Sequence, residues 1–380
     1  MNLREETERL RLELERLDEV RVRVALFGQP GAGKSSLINA LIGRDVAEAG
    51  ERTDTTVAAH KYHHDGVDYT DLPGFGTTRF PAETYWDRFH ISEHDLLLCV
   101  KDGKFSNDDD KLFFEEIWKR GKVCIFVHNK VDTLWSATKT IEQVKQELES
   151  ELAQRIAPHA APLIFTSCRT RQGLDELEKQ IWAQLPEAKR ERWTRAVAAY
   201  SDEWLDKKRK VIEREVYVCA ALSAANGFNP IPGADLAIDL STLAGLLVRI
   251  RGHYGLSDKR LERYLQVAPA AKLVVDKLLA YATREGLMRL LRRFASQTLQ
   301  RQVSKYIPLV GQTVAAMVGY GVTLQVGFEF LDTCHKLARE VMEAELAQRG
   351  PRPSTNDPLS AQLPTPSAQP DDSKSGKPPA

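Results

Sequence analysis

From Val22 to about Leu185, short apolar runs alternate with stretches of helical period. VRVALFG, DYTDLPG, DLLLCVKDG, VCIFVHNK and PLIFTSC lack the strict alternation of a strand with one wet face, so they predict strands covered on both sides. KSSLINALIG, DDKLFFEEIWKR, IEQVKQELESELAQRI and LDELEKQIWAQL repeat their apolar positions at helical spacing. Strands and helices in turn imply an α/β fold, a doubly wound and mostly parallel sheet with its loops gathered at the carboxyl edge.

After Pro186 the strand signal stops, and residues 187–347 are almost all helix-compatible. Two apolar stretches stand out there, 216–250 and 306–331. Asn229, Pro230, Pro232 and Asp235 cut the first into halves shorter than the roughly 20 residues that a spanning helix needs. The second is uncharged until Glu329. Both fit buried helices of an all-α domain, with membrane insertion the alternative. Residues 2–18 read as a helix with Leu3, Leu10, Leu14 and Leu17 near one face, a seam too short for a coiled coil. The tail from Arg349, rich in Pro, Ser and Asp, predicts disorder. The expected organisation is an N-terminal helix (1–20), a nucleotide-binding domain (21–186), a helical domain (187–347) and a tail (348–380).

A chain of 380 residues has room for two cores. Lys plus Arg and Asp plus Glu both number 53, so no global charge favours nucleic acid, and no nucleic-acid partner is expected. Cys99, Cys124, Cys168, Cys219 and Cys334 lie far apart with no CxxC pair, which suits a reducing cytoplasm. The charged N-terminus is not a signal peptide.

The chemistry concentrates in the first half. GQPGAGKSS lies between a strand and a helix, the setting in which GxxxxGK[ST] cradles phosphates. Gly28, Gly31, Ala32 and Gly33 turn backbone N–H groups toward an anion, and the helix that begins there, running into Ser36, offers its positive end. Lys34 is placed to reach the β- and γ-phosphates, and Ser35 to ligate Mg²⁺. At the end of a later strand, Asp71 would hold Mg²⁺ through a water, and the Gly74 amide would approach the γ-phosphate. HNKVD follows another strand. Asp132 can accept two hydrogen bonds from guanine N1–H and N2–H₂, a pair that adenine lacks. Asn129 would buttress the loops, Lys130 would lie over the base, and Ser167 and Cys168 of TSCRT would stand near guanine O6. The loop AGERTDTTVAAH should supply a threonine that completes the Mg²⁺ shell when GTP is bound; Thr53, Thr55 and Thr56 all qualify, with Thr56 favoured. His60, His63 and His64 read as exposed strand residues rather than a metal cluster. Together these motifs predict a site for GTP/GDP and Mg²⁺.

DLPGFGTTRFPAETY and NPIPGADLAIDLSTL, with IPLVGQTVAA and FEFLD further on, resemble the immunity-related GTPases, the interferon-inducible family and its bacterial relatives, over about residues 1–345. The GKS of Gly33–Ser35 is similar to that of the lysine-containing subclass. The resemblance implies a Ras-like P-loop GTPase domain joined to a helical domain built from both chain ends. It also implies hydrolysis of GTP to GDP and phosphate, GTP-dependent self-assembly across the G domains in the dynamin-like manner, and a peripheral attachment to membrane lipids. HNKVD departs from many relatives, which carry threonine in place of its asparagine; guanine specificity should survive that difference.

Phe75 raises a mechanistic question, because it stands where a water-positioning glutamine often sits and cannot form hydrogen bonds. The family lacks that glutamine too. Phosphoryl transfer depends on positioning and charge stabilisation, so a backbone group, the substrate's own oxygens or a second G domain could substitute. Thr77, Thr78 and Arg79 are candidates to act in trans, and Lys34, Thr56, Gly74 and Arg79 form the expected catalytic set. Three alternatives compete with an assembling GTPase. An Era-like ribosome-assembly GTPase lacks support from any GxxG turn with flanking strands or any sustained basic patch. A simple monomeric switch is another. A non-hydrolysing scaffold runs against the presence of Lys34, Ser35 and Asp71.

Overall fold

The computed structural model describes residues 19–47, 59–73, 82–103, 108–226, 235–281 and 311–348, with isolated positions at 8, 9, 12, 15, 283, 285 and 286. Six strands, β1 (Val22–Phe27), β2 (His60–His64), β3 (Val67–Asp71), β4 (Leu96–Lys101), β5 (Cys124–His128) and β6 (Leu163–Phe165), form one sheet in the order β2-β3-β1-β4-β5-β6. Only β2 runs antiparallel to its neighbour; β3, β1, β4, β5 and β6 are mutually parallel. The expected doubly wound α/β sheet is therefore present. Every residue of β4 and β5 is buried, which explains their unbroken apolar runs.

Side-chain alternation divides the sheet between two cores. Val22, Val24 and Leu26 of β1 pack with Leu96, Leu98, Val100, Ile125 and Val127 against α1 (Lys34–Ile42), α5 (Leu174–Gln184) and α6 (Glu187–Ala196). Ala25, Phe27, Leu97, Cys99 and Phe126 belong to the opposite core, under α2 (Ala82–Arg88), α3 (Asp108–Lys119) and α4 (Ile141–Ile156). Aromatic rings fill that side; Phe27 and Phe113 meet edge to face at 4.3 Å. The bounds of α4 are those that its sequence period predicts. Its start is fixed by a capping box, in which Thr140 Oγ1 accepts from the Gln143 amide at 3.2 Å and Gln143 Oε1 accepts from the Thr140 amide at 2.9 Å.

Beyond Pro186 the described residues are almost all helical. Although it follows the last strand, α6 packs on the sheet: Trp193, Ala196, Val197, Tyr200 and Trp204 join the same core as β1. Then come α7 (Asp202–Asn226), α8 (Asp235–His253), α9 (Asp258–Val267), α10 (Lys272–Tyr281) and α11 (Gly311–Gln348). On α11, Val322, Val326, Phe330, Cys334, Leu337 and Val341 form a buried stripe at spacings of three and four, facing Ile212 and Val216 of α7 and Leu243, Leu246 and Ile250 of α8. Among the described residues no helix is long and apolar enough to cross a membrane. The apolar stretch 216–250 is divided between α7 and α8, and the described end of 306–331 lies in the buried stripe of α11.

The two halves meet at the β2–β3 hairpin. Asp65, at its tip, accepts from His253 Nδ1 at 2.9 Å and faces Arg192 at 3.5 Å. His253 Nε2 lies 3.2 Å from Glu215, which also faces Arg195 at 3.4 Å and Arg249 at 3.7 Å. Buried Lys208 donates to the backbone carbonyls of Arg195 (2.6 Å) and His253 (2.9 Å). Glu8, Arg9, Leu12 and Glu15 are helical and the described ones exposed, but Leu3, Leu10, Leu14 and Leu17 lie outside the described residues, as does the tail from Arg349.

Candidate functional site

The phosphate loop, the end of β3 and the loops after β5 and β6 converge at the carboxyl edge of the sheet. Backbone geometry makes glycine necessary at two loop positions. Gly28 has φ 141°, and a Cβ there would come within 2.0 Å of the Val100 carbonyl oxygen. Gly33 caps α1 at φ 88°, and a Cβ would sit 2.4 Å from Asn129 Nδ2. Gly31 also has positive φ, and Ala32 is buried in the core.

Lys34 is buried and donates from Nζ to the carbonyls of Gly28 (3.1 Å) and Gln29 (3.2 Å), so its ammonium is held across the mouth of the loop. Burial lowers its pKa, and Asp71 opposes that shift. The parallel register pairs Asp71 with Leu26, just before the loop. Ser35 Oγ donates to Asp71 Oδ2 at 2.7 Å. Asp71 Oδ1 is buried with no hydrogen-bond partner among the described residues, and burial raises this carboxyl's pKa against the pull of Lys34 and Ser35. An unpartnered buried carboxylate oxygen beside a hydroxyl is a hard-oxygen donor set of the kind that suits Mg²⁺.

At the other end of the cleft, Asn129 ties three loops together. Its Nδ2 donates to the Ala32 carbonyl at 3.0 Å, while Oδ1 accepts from Thr166 Oγ1 (3.2 Å) and Cys168 Sγ (3.4 Å). Lys130 adopts a left-handed backbone (φ 61°) and pairs with Asp102 at 2.7 Å. Asp132, with its side chain 8% exposed, accepts from Ser167 Oγ on Oδ1 (2.5 Å) and from Arg169 Nε on Oδ2 (2.7 Å). Burial alone would raise its pKa, but the bonds from Ser167 and Arg169 outweigh it and hold the carboxyl below the usual range. Burial pushes the Cys168 thiol up to about 11, which suits a residue that presents backbone rather than a nucleophile. Gly33, Ser36, Asn129, Lys130, Asp132 and Cys168 line one continuous cleft.

The structure thus brings Gly28, Gly31, Ala32, Gly33, Lys34, Ser35, Ser36, Asp71, Asn129, Lys130, Asp132, Ser167 and Cys168 to one edge. Thr53, Thr55, Thr56, Gly74, Phe75, Thr77, Thr78 and Arg79 lie outside the described residues. Of the three histidines expected to be exposed, His60 and His63 are, with His63 bonded to Arg21 and Asp68, whereas His64 is half-buried and held by Arg44 at 3.1 Å. Sequence reasoning missed two contributors, Thr166 and Arg169; both sit in the quoted TSCRT, but neither residue type announces a bond to a residue some 37 positions away.

Residues 1–344 match the interferon-inducible GTPase (IIGP) family. The mouse interferon-gamma-inducible GTPase 10 is 27% identical over 265 residues, 65% of this chain and 63% of the relative, so the match spans a little under two thirds of that protein's length. The rat interferon-inducible GTPase 5 is 27% identical over 339 residues, 82% of this chain and 73% of the relative. Among solved structures, an Aquifex aeolicus Era variant bound to GDP and aluminium fluoride is similar at a TM-score of 0.36 and 20% identity, covering 53% of this chain and 67% of that one. With the family match spanning nearly its whole length, the chain belongs to the interferon-inducible GTPase family.

Proposed function

We propose that the carboxyl edge of the sheet binds GTP and hydrolyses it to GDP and phosphate, and that turnover is completed by a second copy of the chain. One observation carries the reading: Asn129 bonds directly to the phosphate loop while sharing its Oδ1 with the strand that leads to Ser167, so the phosphate-binding and base-reading loops form a single unit. Asp132 would take guanine N1–H and N2–H₂, with Lys130 over the base and Ser167 and Cys168 near O6. Gly28 to Ser36 would wrap the phosphates, with Lys34 balancing charge that shifts toward the β–γ bridge during transfer. Ser35 and Asp71, joined by Thr56 or a neighbouring threonine, would hold Mg²⁺, which when bound supplies further positive charge at the phosphates.

Phe75 cannot orient a water, so Gly74, Arg79 or a group from another G domain would do so. An arginine offered to the transition state can be worth on the order of 10³-fold. We assign residues 21–186 to the G domain and 1–20 with 187–347 to the helical domain, α6 being the part of the latter range that packs on the sheet. Assembly would place the protein at a membrane surface as a peripheral, lipid-contacting GTPase. The test is GTP hydrolysis per molecule against protein concentration. A rate that climbs with concentration supports assembly; a measurable rate that stays flat over a wide range overturns it.

A further inference from the structure

We infer that Arg169 is a specificity-determining positioning residue: it fixes the second oxygen of Asp132 and so sets how strongly the exocyclic amine of guanine is read. The inference rests on the guanine site proposed above.

The Asp132 carboxylate receives one bond on each oxygen, Ser167 Oγ on Oδ1 at 2.5 Å and Arg169 Nε on Oδ2 at 2.7 Å. Ser167 is fully buried and its own position is fixed: its amide donates to Gln172 O at 2.9 Å, and its Oγ accepts from the Thr170 amide at 3.1 Å. A carboxylate gripped at one oxygen can still swing about its Cβ–Cγ bond, whereas one gripped at both is fixed in plane. Guanine presents N1–H and N2–H side by side, so reading both requires two oxygens at set positions. Each carboxylate oxygen has two acceptor sites, and a protein donor on one leaves the other for the base. The other cations of the cleft are engaged elsewhere, Lys130 with Asp102 at 2.7 Å and Arg171 over the Tyr200 ring at 5.2 Å. Arg169 and Asp132 both line the cleft, so their contact is open to a ligand that enters it.

Inosine diphosphate differs from GDP only in lacking the 2-amino group, and it isolates the second contact. The experiment measures Kd of the full chain for GDP and IDP with Arg169→Met, which keeps an apolar stem, and with Asp132→Asn as the reference for the site itself. Arg169→Met should weaken GDP about fivefold and leave IDP within about twofold, because only the amine contact loses its organised acceptor. Arg169→Lys, which can still donate to Oδ2, should restore the GDP preference. A GDP-to-IDP ratio unchanged in Arg169→Met overturns the inference, whether both affinities stay or both fall together, as a merely structural residue would make them. Asp132→Asn exchanges an acceptor for a donor and should move preference from GDP to xanthosine diphosphate. If it does not, the guanine reading itself fails, and this inference falls with it.

Discussion

His253 joins the two halves of the molecule, and replacing it tests whether the ion cluster is integral to the fold. In His253→Leu the hairpin residue Asp65 loses a 2.9 Å donor, and Glu215 loses an imidazole whose Nε2 lies 3.2 Å away. Removing one partner from a buried ion pair typically costs about 3–5 kcal/mol, because the remaining charge is left uncompensated. Here compensation remains: Arg192 is 3.5 Å from Asp65, and Arg195 and Arg249 are 3.4 and 3.7 Å from Glu215. The expected loss is therefore smaller, about 2 kcal/mol, read in a chain of this size as a fall in Tm of about 2–3 °C. The pH dependence is more diagnostic. The charged ring carries a proton on the nitrogen facing each carboxylate, so a neutral imidazole leaves one carboxylate facing a bare nitrogen. Burial pulls the His253 pKa down, but the bonds to Asp65 and Glu215 prevail and hold it above its ordinary 6.5. The folded state thus binds the proton more tightly than the unfolded chain. Its contribution is complete below about pH 6.5 and is lost as pH rises through the raised pKa. Buried Lys208, held down to about 8, titrates in both proteins, so the difference between them isolates the histidine. Urea unfolding of wild type and variant at pH 6, 7.5 and 9 should show a gap that narrows as pH rises. A gap below about 0.5 kcal/mol at pH 6, or one that widens with pH, refutes the reasoning.

Gly33→Ala forces a Cβ to within 2.4 Å of Asn129 Nδ2 at φ 88°, and should weaken GDP binding by on the order of 30-fold in equilibrium titration. Trp193→Ala empties a fully buried site under the sheet and should cost about 3–5 kcal/mol in urea unfolding. Glu178→Leu is expected to stabilise the protein by about 1–3 kcal/mol at pH 8, because both carboxyl oxygens are buried without a hydrogen-bond partner among the described residues. Burial raises the Glu178 pKa well above 4.5, so the folded state holds a proton that the unfolded chain releases as pH climbs. The gain over wild type should therefore shrink toward pH 4.5, and a gain that grows on acidification would contradict the assignment.

The features that could be read in advance share a cause. β4 and β5 are buried on both faces, and their apolar runs announce it; α4 carries its own start signal in Thr140 and Gln143. Lys34 and Ser35 could be read because the phosphate loop is a contiguous motif whose backbone requirements permit few other residues, and Asp71 because it ends a strand and opens a DxxG turn after that loop. What stayed hidden depends on contacts between distant segments. Nothing in the sequence of α6 distinguishes a helix that packs on the sheet from one belonging to the helical half, since Trp193 and Ala196 only reveal their partners in three dimensions. The grip of Arg169 on Asp132 was equally silent, as was the meeting of Asp65 with His253, 188 positions apart. The apolar stretch 306–331 is ambiguous in sequence because burial against a helix, as at Val322, Val326 and Phe330, and burial in lipid select the same side chains.

The most direct test of the central claim is phosphate release from GTP and from ATP, each with Mg²⁺, by the wild-type chain and by Lys34→Ala. A site in which Lys34 spans the phosphate loop and Asp132 reads the base should release phosphate from GTP, leave ATP essentially untouched, and fall to background when Lys34 is removed. Equal turnover of both nucleotides, or turnover of GTP that survives Lys34→Ala, would contradict it.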